Sequence, residues 1–143
     1  TRSFFKFNEK DRTLRFTFSG NFVSSYKSFI LQAPSEVTIE ALSVASVGGF
    51  PTKTFKNDTT EHGGNKLGRV SAELLYIVSS TREISMLTKT PEQRYLELFH
   101  TNPEWFFHIP MKHVASYLGI IPQALAEFGR EFLNPSSLQE LIN

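Results

Sequence analysis

The sequence predicts an α+β chain on three observations. Apolar residues alternate with period two through the first third, their spacing changes to three and four after Gly64, and proline and glycine punctuate a helical remainder. Phe5 and Phe7 precede the polar turn "NEKD", and Leu14, Phe16 and Phe18 follow it, as expected for a hairpin with one buried face. Gly20 breaks the second strand. "NFVSSYKSFI" then crosses a short loop or helical turn, and "SEVTIEAL" resumes the alternation with Val37, Ile39 and Ala41 on one side, so two or three further strands are expected. From Ser46 to Gly64, glycines, a proline and small polar residues read as loop, with one strand near Lys53–Phe55.

Beyond Gly64, Leu67, Val70, Leu74, Ile77, Thr81 and Ile84 are spaced 3, 4, 3, 4, 3. This seam spans fewer than three heptads. It suits a helix that pairs with its own copy or one that lies on the strands, and the spacing alone favours neither. Thr90-Pro91 starts the next helix, because threonine caps and proline is tolerated in the first turn; Tyr95, Leu96 and Phe99 share its face, and Asn102-Pro103 ends it. Pro110, Gly119, Pro122 and Asn134-Pro135 then divide the remainder, and "SLQELI" is expected as a short tail helix.

Composition narrows the function classes. With 143 residues, 40% of them hydrophobic, the chain can bury one ordinary core or two small ones. No apolar run approaches the roughly 20 residues that span a bilayer, and the early charges of "TRSFFKFNEKDR" do not suit an export signal. There is no cysteine, which excludes disulfides, thiolate nucleophiles and cysteine-ligated zinc and is compatible with a reducing cytoplasm. The formal net charge of +1 is unevenly spread: residues 1–56 carry eight Lys/Arg against four Asp/Glu, and residues 89–133 carry four against five.

The stretch "KHVASYLGIIPQALAEFGREF", Lys112 to Phe132, carries the most specific pattern. Two helices joined by a tight turn need a small residue where they touch, a residue tolerant of positive φ in the turn, and apolar residues facing a core. Ala115, Gly119 and the set Val114, Leu118, Ile120, Leu125 and Phe128 supply these, and Pro122 fits the first position of the second helix. A plain helical hairpin capped by glycine would share part of the pattern.

"RYLELFHTNPEWFFHIPMKHVASYLGIIPQAL" resembles the carboxy-terminal domain of the Crp/Fnr superfamily of bacterial transcription regulators, in the branch with a similar "RYLEL…P…IP…ASYLGI.P..L" run. Upstream, "RTLRFTFSGNFVSSYKSF…PSEVTIEAL" is similar to the back half of that family's cyclic-nucleotide-binding-like β-roll. The resemblance covers most of residues 8–42 and 67–133. It implies the end of a partial β-roll sensor over residues 1–64, a dimerisation helix over 65–89 and a winged-helix-like helix-turn-helix domain over 90–143. The family's roll has several strands before the point matching Thr1, so an incomplete roll is expected, with exposed strand edges. The family's Gly-Glu pair and phosphate-clamping Arg fall at Ser24, Ser25 and Ser35, so the resemblance implies no cyclic nucleotide held in the usual way; those serines would take at most a weaker effector.

The resemblance also implies the contact residues. Gln123, Ala126, Glu127 and Arg130 face the groove, with Lys112 and His113 set for phosphate, and Leu67, Val70, Leu74, Ile77, Thr81 and Ile84 form a homodimer interface. Many relatives carry serine and arginine where Ala126 and Glu127 stand. Arginine reads guanine with two bonds, whereas glutamate can only accept, most naturally from cytosine, and repels phosphate. Gly129 weakens the helix by roughly 1 kcal/mol against alanine. Glu127 and Glu131 are equally compatible with a solvated face.

Other chemistry finds little support. His62, His100, His108 and His113 are scattered, so neither a metal nor another cofactor is expected; "GGNKLG" lacks the order of a phosphate loop, and no Ser/His/Asp arrangement points to an enzyme. "NDT" reads as a chance glycosylation match, and Trp105, Phe106 and Phe107 as core of the small helical domain. The expectation is a cytoplasmic, homodimeric regulator that binds double-stranded DNA; the alternative is a dimerisation or interaction module that keeps the fold without binding DNA.

Overall fold

Asn8 and Glu9 both adopt positive φ, 49° and 60°, and join β1 (Arg2–Phe7) to β2 (Lys10–Phe16). Two successive left-handed residues make the tight turn whose twist matches the flanking strands. A two-residue turn pairs Phe7 with Lys10, yet Thr1 and Thr17 exchange backbone bonds at 2.7 and 3.0 Å, so β2 accommodates one residue more than β1. That is a bulge. These strands belong to a computed structural model that describes residues 1–49 and 64–132.

Among the described residues the chain is α+β, with a three-stranded antiparallel sheet of order β2-β1-β3 and six helices. Among the described residues after Gly20, β3 (Thr38–Glu40) is the one strand, where the sequence predicts two or three, and α1 (Tyr26–Leu31) forms where it reads as a loop or helical turn. Ile39 is 40% exposed and Ala41 is exposed, so β3 does not present a buried apolar face. It pairs with β1 in the sheet, and Arg2, fully buried in β1, sets its Nε 2.9 Å from Glu40 Oε1. The segment Lys53–Phe55, the sequence "NDT", His62 and the tail "SLQELI" lie outside the described residues.

Burial in the hairpin corrects the expected alternation. Arg2, Ser3 and Phe4 are all buried, as are Thr13 and Phe16, whereas Phe7, Leu14 and Phe18 are exposed and Phe5 is half-buried. β1 is buried on both faces from Arg2 to Phe4 and exposed at Phe7 beside the turn, whereas β2 is buried at Thr13 and Phe16 with Leu14 exposed between them, and Phe18 lies beyond its end.

The helices follow as α2 (Gly64–Thr88), α3 (Pro91–Thr101), α4 (Trp105–His108), α5 (Met111–Leu118) and α6 (Pro122–Phe132). α3 begins with a capping box: the Thr90 hydroxyl accepts from the Gln93 backbone N–H at 3.3 Å, and Gln93 Oε1 accepts from the Thr90 N–H at 3.0 Å. Two otherwise orphaned donors are satisfied this way, next to the proline expected in the first turn.

The chain divides into two compact units. One unit takes residues 1–3 and 16–84; the other takes residues 4–15 together with residue 85 onward. Most of the hairpin thus belongs with the helices that end the chain. In this second unit Tyr95, Val114, Ala115, Leu118 and Leu125 are at most 3% exposed, with Phe4, Leu98 and Ile109 close behind. Tyr95 is the hub, its ring 5.4 Å from Phe106, 5.7 Å from Phe128, 6.1 Å from Phe132 and 6.3 Å from Phe99. Trp105 packs edge-on against Tyr117 at 5.4 Å. Phe107, expected in the same cluster, is instead 80% exposed.

Candidate nucleic-acid interface

The α5–α6 pair is built around Gly119, at φ 74° and ψ 26°. Its N–H donates to the Ser116 carbonyl at 3.3 Å and the Ile120 N–H to the Ala115 carbonyl at 3.0 Å. This pair of bonds closes a helix end through a left-handed glycine and satisfies carbonyls that the helix leaves open. Pro122 then opens α6, where its missing N–H costs nothing.

The turn is held from behind. A Cβ at Gly119 would fall 2.8 Å from Met86 Cε, so the glycine lets the end of α2 reach the turn. Arg94 reaches the same place from α3: its Nε donates to the Leu118 carbonyl at 3.1 Å and its Nη1 to the Lys89 carbonyl at 2.6 Å. One guanidinium thereby caps the end of α5 and the residue that follows α2. Lys89 also pairs with Glu97 at 2.6 Å. Nothing in the sequence signals this role of Arg94, because the carbonyls it serves, Leu118 and Lys89, are far apart in the chain.

α6 is sharply two-sided. Leu125 is fully buried and Phe128 and Phe132 lie against Tyr95, while Gln123, Ala126, Glu127 and Arg130 are exposed. Spacings of 3, 1 and 3 bring those four onto one stripe. A Cβ at Gly129 would meet Tyr95 Oη at an ordinary 3.8 Å, so the glycine is not needed for space. The stripe carries Glu127 and Arg130, with exposed Glu131 beside it.

Lys112 is exposed in the first turn of α5. His113 is not available as its partner. At 9% exposure it lies among the buried residues of α5 with Val114, Ala115 and Leu118, one step of about 100° round the helix from Lys112. The spacing that buries Val114 and Leu118 therefore carries the imidazole inward too.

Val70, Leu74, Ile77, Thr81 and Ile84 are exposed on α2, the four apolar ones, Val70, Leu74, Ile77 and Ile84, at 38, 58, 58 and 57%; the side chain of Leu67 lies outside the described residues. Of the three candidate effector serines, Ser35 makes local hydrogen bonds. Ser25 stands at the start of α1 without a capping bond, Ser24 is exposed, and the Ser35 hydroxyl donates to the Val37 carbonyl and accepts from the Val37 N–H. Among the described residues no group of three or more His, Asp or Glu is placed to hold a metal ion, and no helix is long and apolar enough to cross a membrane.

The sequence missed the contact made by Ser116. Its hydroxyl accepts from the Thr13 N–H at 2.9 Å and donates to the Asp11 carbonyl at 3.0 Å, which fixes β2 to α5. Neither periodicity nor motif could have joined residues more than 100 positions apart.

No protein-family model matches the chain, and no curated protein or solved structure matches it.

Proposed function

We propose that this chain is a DNA-binding transcriptional regulator of the Crp/Fnr type, bacterial and cytoplasmic. It acts as a homodimer, with a roll-derived sensor that does not hold a cyclic nucleotide in the usual way. The observation that carries the proposal is the two-sided α6: a buried Leu125, rings anchored on Tyr95, and an exposed stripe of Gln123, Ala126, Glu127 and Arg130, mounted on a glycine turn behind α5. In that reading α6 enters the major groove, Gln123 pairs with adenine, Arg130 reaches guanine or phosphate, and Lys112 touches phosphate. The exposed apolar seam of α2 pairs two copies, so that two such helices meet half-sites about one DNA turn apart. A signal that changes the seam alters the spacing of the recognition helices.

The acidity of the stripe favours a second reading, an interaction module that keeps this architecture without DNA. One variant separates the two. Glu127→Arg replaces a phosphate-repelling group with one that attracts it, so duplex affinity at fixed salt is expected to rise by roughly tenfold or more if α6 lies in the groove. Unchanged affinity would assign the stripe to solvent. The seam has its own test: Leu74→Glu, at a position 58% exposed in the single chain, is expected to turn a dimer into a monomer in sedimentation without lowering the monomer's thermal stability. A wild-type chain that already sediments as a monomer would remove the homodimer from the proposal.

A further inference from the structure

If α6 meets DNA, its own charge cannot supply the affinity, because Arg130 is outnumbered by Glu127 and Glu131. Nearly all non-specific attraction to a duplex comes from basic groups on phosphate. The hairpin has the balance that α6 lacks: over residues 4–15 it carries Lys6, Lys10, Arg12 and Arg15 against Glu9 and Asp11. It also belongs to the same compact unit as α5 and α6.

We infer that the β1–β2 hairpin is a second DNA-contacting element, with Lys10 and Arg12 binding backbone phosphates beside Lys112. The inference rests on the DNA-binding reading of α6 and extends it. Its geometric basis is the mounting of the hairpin. β2 is an edge strand in the order β2-β1-β3, and an edge presents unpaired backbone groups. The carbonyl of one residue and the N–H two residues on leave a strand on the same side, so one hydroxyl can satisfy both. Ser116 Oγ does this, bonded to the Asp11 carbonyl and the Thr13 N–H at 3.0 and 2.9 Å. Arg12 is the residue between the two pinned positions.

α5 supplies the alignment. Lys112 precedes Ser116 by four residues, one helical turn, so its side chain starts about 5–6 Å from that of Ser116 on the same side of the helix. The Arg12 backbone, held against Ser116, therefore lies on the side of α5 that carries Lys112. Lys10 is two residues from Arg12 on the strand, and alternation gives it the same side of the ribbon. Lys10, Arg12 and Lys112 are all exposed, and among the described residues none of them makes an ion pair. Their guanidinium and ammonium groups are thus available to phosphate on a support that does not need to be ordered when DNA arrives.

The test is a titration of the full chain with random-sequence duplex at several salt concentrations. Each phosphate contact contributes about 0.9 to the slope of log affinity against log salt. Lys10→Ala with Arg12→Ala is expected to make that slope shallower by about 1–2 while leaving thermal stability unchanged. A control removes the same charge elsewhere: Lys27→Ala with Arg69→Ala, both exposed and paired with Glu36 and Glu73, is expected to leave the slope unaltered. If the wild-type chain binds but the hairpin variant keeps its slope, the inference is overturned and the role of α6 stands. Equal losses in the hairpin variant and the control would overturn it too, since the effect would then be one of overall charge. If the wild-type chain itself shows no salt-sensitive binding, the failure belongs to the DNA-binding reading, and the inference falls with it.

Discussion

Tyr95→Ala is expected to lower the unfolding free energy of the helical unit by about 3–5 kcal/mol, the range for removing a large aromatic ring from a core. Tyr95 is 1% exposed, and its ring has four aromatic neighbours from α3, α4 and α6, so truncation leaves a cavity that no single side chain can fill. Trp105, the chain's one tryptophan, sits in the same unit against Tyr117 and reports the transition by fluorescence during urea unfolding. Tyr95→Phe keeps the ring and is expected to cost far less. A loss below about 1 kcal/mol for the alanine variant would mean that α6 is not anchored on this ring. Tyr95 adds a pH signature. Burial raises its phenol pKa, so the folded state holds the proton more tightly than the unfolded state does. Its contribution to stability is complete below the ordinary tyrosine value of about 10 and is lost as pH rises through the higher folded value.

Gly119→Val is expected to cost about 2–3 kcal/mol and to weaken duplex binding further than that loss of stability explains. At φ 74° any Cβ is strained, by roughly 1–2 kcal/mol, and a β-branched side chain more so. The new Cβ also falls 2.8 Å from Met86 Cε, which must move, although a methionine end yields easily. Gly119→Asn separates the two causes. Asparagine tolerates the left-handed region while bringing a side chain as large as valine, so it is expected to retain most of the stability. If the asparagine and valine variants melt alike, volume rather than backbone conformation governs the turn. Circular dichroism melts and a duplex titration on the same preparations read both quantities.

The turn was legible in the sequence because its requirements are local. Gly119, Pro122, Ala115 and the spacing of Val114, Leu118 and Leu125 each follow from backbone geometry or helical period, and the structure has all of them in those roles. The Thr90-Pro91 start was legible for the same reason. The hairpin was legible in existence and not in burial. Phe5, Phe7, Leu14 and Phe18 satisfied period two, yet Phe7 lies beside the turn, Phe18 lies beyond the end of β2, and the bulge in β2 shifts which of its residues share a face. His113 shows the limit at the site: adjacency to Lys112 in sequence is a third of a turn apart on a helix. Arg94 and Ser116 were not legible at all. Each acts through carbonyls or an N–H whose availability depends on which helix end or sheet edge the fold leaves open, and that is a tertiary property. The contact between residues 11–13 and α5 belongs with them, since Ser116 bonds to Asp11 and Thr13 across more than 100 positions.

A duplex titration of the unmodified chain at two salt concentrations decides whether this chain binds DNA. Random-sequence DNA and micromolar protein suffice, because phosphate contacts do not depend on sequence. Binding is expected to weaken steeply as salt rises, through Lys112 and the hairpin cations together with Arg130. Absence of salt-sensitive binding at micromolar protein would contradict the DNA-binding reading and leave α6 as a solvated face on an interaction module.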